Sequence, residues 1–231
     1  MTPATAQLDV APIAADLSLK DRIYDTLKQA ITAMNIYADD ANLRLDERQL
    51  SEQLKISRTP IREALARLEQ EGLVKIVPRK GVYIVRKTKA EILEMITVWA
   101  ALESMAARLI TLHASDQEIA SLRTLFGTFD GDEIKAHIDE YSDTNIKFHQ
   151  TIIGLGKCRL LSEMAESLFI HMRSIRARTI SEDNRADRSI VDHLHIIEAL
   201  EQRDTELAER LVREHTLNLA AHVEQNVTYL D

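Results

Sequence analysis

Two groups of residues in this chain have the types and spacing to do chemistry. The first is Arg58, Thr59 and Arg62, in the opening turns of a run from Ser57 to Val74 that begins and ends like a helix. Guanidinium and hydroxyl groups displayed there can reach base edges and phosphates. The second is Asn145, His149, His193 and His215. Asn145 and His149 are four residues apart on one helical stretch, so both can point at the same spot. His193 and His215 lie on two later stretches that can converge there. Three imidazoles suit Zn, Ni, Mn or another first-row divalent ion, and the interior of a helical bundle is a normal place to hold one. A histidine on a helix is also explained as a surface residue or a hydrogen-bonded core residue, and the spacing leaves both readings open.

Each group needs elements to position it. Ser57 stands where an N-cap belongs, and Pro60 falls in the first turn, where its missing N–H costs little. Ile61, Ala64, Leu65 and Leu68 give one apolar face, and Gly72 sits where a left-handed cap would end the helix. Leu50, Leu54 and Ile56 mark a shorter helix from about Glu47 to Lys55. A short helix, a tight connection and a second helix that can enter the major groove is the helix-turn-helix layout. Two β-rich runs, Leu73 to Val77 and Val82 to Val85, then flank Pro78-Arg79-Lys80-Gly81 and predict a hairpin. As a wing, that hairpin carries Arg79 and Lys80 at its tip, where they can grip phosphate or a minor groove. An ordinary helical hairpin with solvated charges would explain the helices, but not the agreement of helices, hairpin and charge.

A net charge of −8 looks wrong for a DNA reader until it is divided along the chain. Residues 44 to 87 hold 11 basic and six acidic side chains, a local +5 that leaves −13 for the rest. Phosphate affinity depends on cations at the groove, not on the total.

Residues 1–18 have no periodicity and read as a flexible tail. A helix over about 19–35 follows, then a polar connection from Tyr37 to Asn42, and the reader module closes near residue 87. From Thr88 on, over 88–231, the apolar spacing is helical throughout. It predicts a long helix ending near His113, a second from Ser115, and a third from about Asp132, with Ile134 and Ile138, to Gly154. A fourth runs through Leu160 and Ile175, and two more follow a polar break from Ser181 to Ser189. The fold class is therefore mainly α, an N-terminal winged helix-turn-helix followed by an all-α antiparallel helical bundle.

One cysteine, Cys158, excludes an intramolecular disulfide framework and fits a reducing compartment. The most apolar run, Met95 to Ile110, is broken by Glu103 and Arg108, so no membrane span is expected. The first 19 residues contain no Lys or Arg and no hydrophobic core, unlike a secretory signal, so a cytoplasmic protein is expected. No Gly-x-Ser-x-Gly, phosphate-binding loop or His-Glu-x-x-His occurs, and no histidine has Glu three residues before it as in di-iron bundles. A non-enzyme is expected; the competing reading is a metal-dependent helical-bundle enzyme with a nucleic-acid-targeting module.

Leu45-Asp46-Glu47-Arg48-Gln49-Leu50, Ser57 to Leu65 and Leu68 to Val74 resemble the winged-helix domain of GntR-family bacterial transcription regulators. The resemblance implies DNA contacts from Arg48, Ser57, Arg58, Thr59, Arg62 and the wing-tip Gly81. The helical half is similar to the FCD type of ligand-binding domain of the FadR-like branch, on Asn145 with Phe148-His149, His193 before Ile196 to Leu200, and Asp204 with Ala208 and His215. That likeness implies a divalent metal at Asn145, His149, His193 and His215, a small organic acid bound beside it, and dimer contacts in the helical half. The expected function is a ligand-responsive regulator, a repressor, acting as a homodimer on double-stranded operator DNA. Two departures stand out. Asn145 replaces a common Asp, so four neutral ligands would leave the ion's charge uncompensated. Trp99 stands where relatives often carry Arg, which leaves an effector carboxylate to the metal and to Arg173 or Arg176.

Overall fold

The computed structural model describes residues 19–38, 40–126, 138–180, 182 and 185–230. The expected tail over 1–18, the start of the third bundle helix at Asp132 and Ile134, and part of the break after Ser181 lie outside them. The described part of that break is shorter than expected, because residues 185–189 are already helical and bury Ala186 and Ser189.

The N-terminal half contains α1 (Leu19–Ala33), β1 (Arg44–Leu45), α2 (Glu47–Leu54), α3 (Arg58–Gln70), β2 (Val74–Val77) and β3 (Gly81–Ile84). Asp46 caps α2 by accepting from the backbone N–H of Arg48 at 2.8 Å and Gln49 at 3.0 Å. Lys55, left-handed at φ 55°, turns the chain from α2 into α3. Ser57 occupies the N-cap of α3 as expected, but its hydroxyl makes no capping hydrogen bond. Gly72 has φ +73°, and the N–H groups of Gly72 and Leu73 return to the carbonyls of Glu69 and Leu68. This closes α3 in the glycine cap the sequence predicts. β3 pairs antiparallel with both β1 and β2, with Tyr83 opposite Arg44 and Lys75. The wing is thus the outer hairpin of a three-stranded sheet in the order β1-β3-β2.

The C-terminal half is helical: α4 (Lys89–His113), α5 (Asp116–Thr124), α6 (Ile138–Leu155), α7 (Arg159–Thr179), α8 (Arg185–Glu201) and α9 (Thr205–Asn226). Thr88 with Glu91 and Ser115 with Glu118 form reciprocal capping boxes at the starts of α4 and α5. α4 is the central strut and packs most extensively on α9, then on α6 and α7. By length and composition alone α4 is apolar enough to cross a membrane, contrary to expectation, since two charges do not lower its hydropathy enough. Half of that stretch is buried inside the protein.

α7 joins the two halves. Arg173 donates to the carbonyls of Thr32 and Ala33, both at 3.0 Å, at the end of α1. Glu166 pairs with Lys28 of α1 at 3.1 Å, and Arg178 donates to the carbonyl of Tyr37. The Tyr37 hydroxyl lies 2.9 Å from His171 Nδ1 and accepts from the Lys87 backbone N–H at 3.1 Å. Tyr37, expected in a polar connection, is a core residue because its one polar atom finds these partners. Burial pushes the His171 imidazole down to about 4, so it is neutral at pH 7.

Candidate functional site

The reading face follows from α2, α3 and the wing. Arg58, Thr59 and Arg62 are exposed on the outer side of α3, while Ile61, Ala64, Leu65 and Leu68 anchor its inner side. Arg62 pairs with Glu47 at 2.6 Å, and Arg48 with Glu52 at 3.0 Å. Exposed pairs of this kind are worth little, so either arginine can exchange its carboxylate for a phosphate at small cost. Arg79 and Lys80 project from the wing turn, and Arg79 has φ 64°. Gly81 has φ +122°, a conformation glycine adopts without strain, so it lets the wing tip turn. All eight residues expected at DNA lie on the helix-turn-helix or the wing.

The second site is inside the bundle and draws on five helices. His149 of α6, His193 of α8 and His215 of α9 are all buried, and one ring nitrogen from each lies within 4.8 Å of the others. His193 Nε2 and His215 Nε2 are 3.1 Å apart. Two nitrogens at ordinary Zn–N distance from one ion would be about 3.3 Å apart. His149 Nδ1 lies 2.6 Å from Glu103 Oε1, and His215 Nδ1 lies 2.9 Å from Asp192 Oδ2. A carboxylate on Nδ1 fixes the tautomer and leaves the Nε2 lone pair free to coordinate. His149 Nε2 is buried with no hydrogen-bond partner. A buried ring nitrogen left bare is costly unless something binds it. The donor set therefore fits a divalent metal. Asn145 is also buried, one turn before His149, with Oδ1 3.4 Å from the Ser189 hydroxyl.

The carboxylates alter the charge argument made from the sequence. An ion held there would not face neutral groups alone, because Glu103 and Asp192 stand directly behind two of the imidazoles. Glu103 is fully buried, accepts from Thr216 Oγ1 at 2.6 Å, and lies 3.8 Å from Arg176. Burial pushes its carboxyl pKa up, opposed mainly by the Arg176 guanidinium. Burial also holds His149 and His193 well below the usual imidazole value, with Arg176 adding repulsion to both, so all three rings offer neutral nitrogens at pH 7. Glu103 registers in the sequence only as a charge inside an apolar run. Its isolation there was the available signal.

The effector residues expected from the sequence divide. Arg176 is buried beside this centre, and Trp99, packed against Phe169 with ring centroids 6.2 Å apart, also acts on the Glu103 carboxyl. Arg173 is turned away to the α1 carbonyls. A cavity of about 880 Å³ instead opens beside His215, bounded by α8 and α9 and lined by Arg185, Arg188, Asn218 and His222. None of these four is among the site residues expected from the sequence.

The comparisons with known proteins agree with both halves. Residues 19–84 match the model of bacterial regulatory proteins of the gntR family, and residues 94–218 match the FCD domain model. The Nta operon transcriptional regulator of Aminobacter aminovorans is 36% identical over 174 residues, covering 74% of this chain and 80% of that protein. The HTH-type transcriptional repressor RspR of Escherichia coli K12 is 24% identical over 181 residues, covering 78% and 79%. In fold the chain is similar to Escherichia coli McbR/YncC, with a TM-score of 0.73, 24% identity and coverage of 92% and 100%. These relatives are transcriptional regulators, not enzymes. With a gntR-type winged helix-turn-helix and an FCD domain covering most of its length, the chain belongs to the GntR family of bacterial DNA-binding transcriptional regulators.

Proposed function

We propose that the protein is a cytoplasmic, metal-containing repressor. A small organic acid bound beside the three histidines sets its operator affinity. Residues 19–87 form the DNA-reading unit, 88–231 the sensing and dimerising unit, and 1–18 a tail. Asn145, His149, His193 and His215 would hold a divalent ion such as Zn, Ni or Mn, which supplies a Lewis-acidic centre for an anionic ligand. The observation that carries this reading is the bare, buried Nε2 of His149 within reach of two other buried imidazoles. The name of the RspR relative supports repression in particular. Elemental analysis of the purified protein, with mass spectrometry of small molecules released from it, tests the reading. A divalent metal with a bound organic acid is expected; protein free of both that also declines added metal contradicts it.

α7 gives the sensing unit a way to address the reader. Arg176 faces Glu103 and Thr216 in the core, while Glu166, His171, Arg173 and Arg178 of the same helix hold α1 and the Tyr37 loop. A small shift of α7 at Arg176 therefore reaches the end of α1. Coupling between two ligands is typically about 1–3 kcal/mol, a 5- to 150-fold change in affinity. Arg173→Ala is expected to leave metal content unchanged but to shrink the effect of metal loading on operator affinity at least threefold. Fluorescence anisotropy on operator DNA reads both, and an undiminished response would remove α7 from the route.

A homodimer fits the same frame, since one winged helix reads few base pairs and pairing extends the site. Val98, Met105 and Leu112 leave an apolar stripe on α4, each about half exposed. Antiparallel pairing of two α4 helices about the exposed Ala101 would set Glu94 opposite Arg108 of a second copy. Light scattering is expected to give a dimer for the wild type and a monomer for Met105→Asp. A wild-type monomer, free and on DNA, contradicts this.

A further inference from the structure

The cavity beside His215 has a charged wall that metal coordination leaves unexplained. Arg185, the first residue of α8, lines it, and its NH1 is buried without a hydrogen-bond partner. Burial pushes this guanidinium down to about 10, and the charges of Arg176 and Arg188 push the same way. Arg176, only 5% exposed, likewise has a buried Nε without a partner. Its carboxylate, Glu103, is 3.8 Å away and already holds His149 and Thr216. Arg176 is thus buried and Arg185 partly buried, on different helices, with like charges that act on one another and an unused N–H on each.

The local acids do not resolve this. Among the described residues, Asp192 is engaged by His215 at 2.9 Å and Glu182 by His222 at 2.6 Å, which leaves Asp187 at the cavity rim. Helix stability does not explain Arg185 either, because a cation at a helix N-terminus opposes the helix dipole. A buried unpaired guanidinium N–H is costly, and an oxyanion is the partner its fork geometry matches. Asn218 and Gln225 offer neutral donors and acceptors in the same cavity. A space of about 880 Å³ is far more than one carboxylate on a metal would occupy.

We propose that Arg185 is the anion-recognising residue of this cavity, receiving a second carboxylate of the effector, which is therefore a di- or tricarboxylic acid and not a monocarboxylic one. This rests on reading the cavity beside the histidines as the effector site. One end of such an acid would face His215 and the other would be held by Arg185, with Arg176 behind adding to the positive potential.

Calorimetric titration of the full-length, metal-loaded protein with acetate, succinate, tricarballylate and inorganic phosphate tests the assignment. Tricarballylate lacks the hydroxyl that makes citrate a strong chelator, so it leaves the metal in place. Wild type should bind succinate or tricarballylate at least tenfold more tightly than acetate. Arg185→Gln should lose at least tenfold toward the polycarboxylates and less than twofold toward acetate, with unchanged thermal melting and metal content. Arg185→Lys should recover part of the loss. Failure of both polycarboxylates to bind wild type, or an equal loss for acetate in the variant, overturns the proposal. Arg185-dependent binding of phosphate alone overturns the ligand class. If tricarballylate binds through Arg185 but leaves operator affinity unchanged, the effector reading fails while the anion site stands. If a ligand shifts operator affinity equally in wild type and Arg185→Gln, only this inference fails.

Discussion

Replacing His193 by alanine is expected to strip the metal from the bundle. His193 is one of three buried imidazoles whose nitrogens meet among the described residues, and its Nε2 lies 3.1 Å from that of His215. Losing a partner behind a ligand typically costs about 10–100-fold in metal affinity, and losing the ligand itself should cost more. Glu103→Gln, which leaves the ligands but weakens the carboxylate on His149, should fall in that 10–100-fold range. Asn145→Asp should tighten the metal by adding a charge, and weaken an anionic effector for the same reason. Metal and proton compete for the same nitrogens, so affinity falls as pH falls. Because burial lowers the imidazole pKa values, this loss should begin below the usual value near 6.5. The unfolded chain binds protons there that the buried rings refuse, so stability without metal should also fall as pH drops below that value. Elemental analysis of wild type and His193→Ala reads the first effect directly. Equal metal in both would falsify the centre and leave the histidines as packing.

Arg58→Ala should abolish most of the sequence preference of the reader while leaving its helix content intact. Arg58 opens α3, is exposed, and makes no ion pair or hydrogen bond among the described residues. A bidentate arginine–guanine contact is worth about 1–3 kcal/mol of discrimination, roughly a 5- to 150-fold loss when removed. Arg79→Ala or Lys80→Ala at the wing should instead weaken all sequences alike and lower the salt slope by about one. Anisotropy titrations on selected operator and scrambled DNA separate the two behaviours. Preference that survives Arg58→Ala would place the reading helix elsewhere.

What the sequence made legible was local. The helix starts after Thr88 and Ser115, the glycine cap at Gly72 and the wing turn are each fixed by residues within a few positions, and all appear in the fold. The three histidines were legible because imidazoles at family positions are few and distinctive. Glu103 was not, because its partner His149 lies 46 residues away. Asp192 adjoins His193 in sequence yet serves His215, a pairing that depends on how α8 and α9 cross. Arg173 looked like an effector ligand because a free arginine on a polar helix face has no local signature of purpose. Its partners are carbonyls on α1, 140 and 141 residues away. Arg185 was hidden in an apparent polar break that the fold makes the start of a helix.

On the proposed function, the occupant of the bundle governs the grip of the reader on DNA. This is tested most directly by operator affinity, measured by anisotropy on a site selected from random DNA. The protein would be compared metal-free, metal-loaded, and metal-loaded with tricarballylate. Affinity is expected to differ between these states by about 5- to 150-fold, the usual scale of allosteric coupling. Affinities that agree within twofold across all three, with metal and tricarballylate binding verified by elemental analysis and calorimetry, would contradict it.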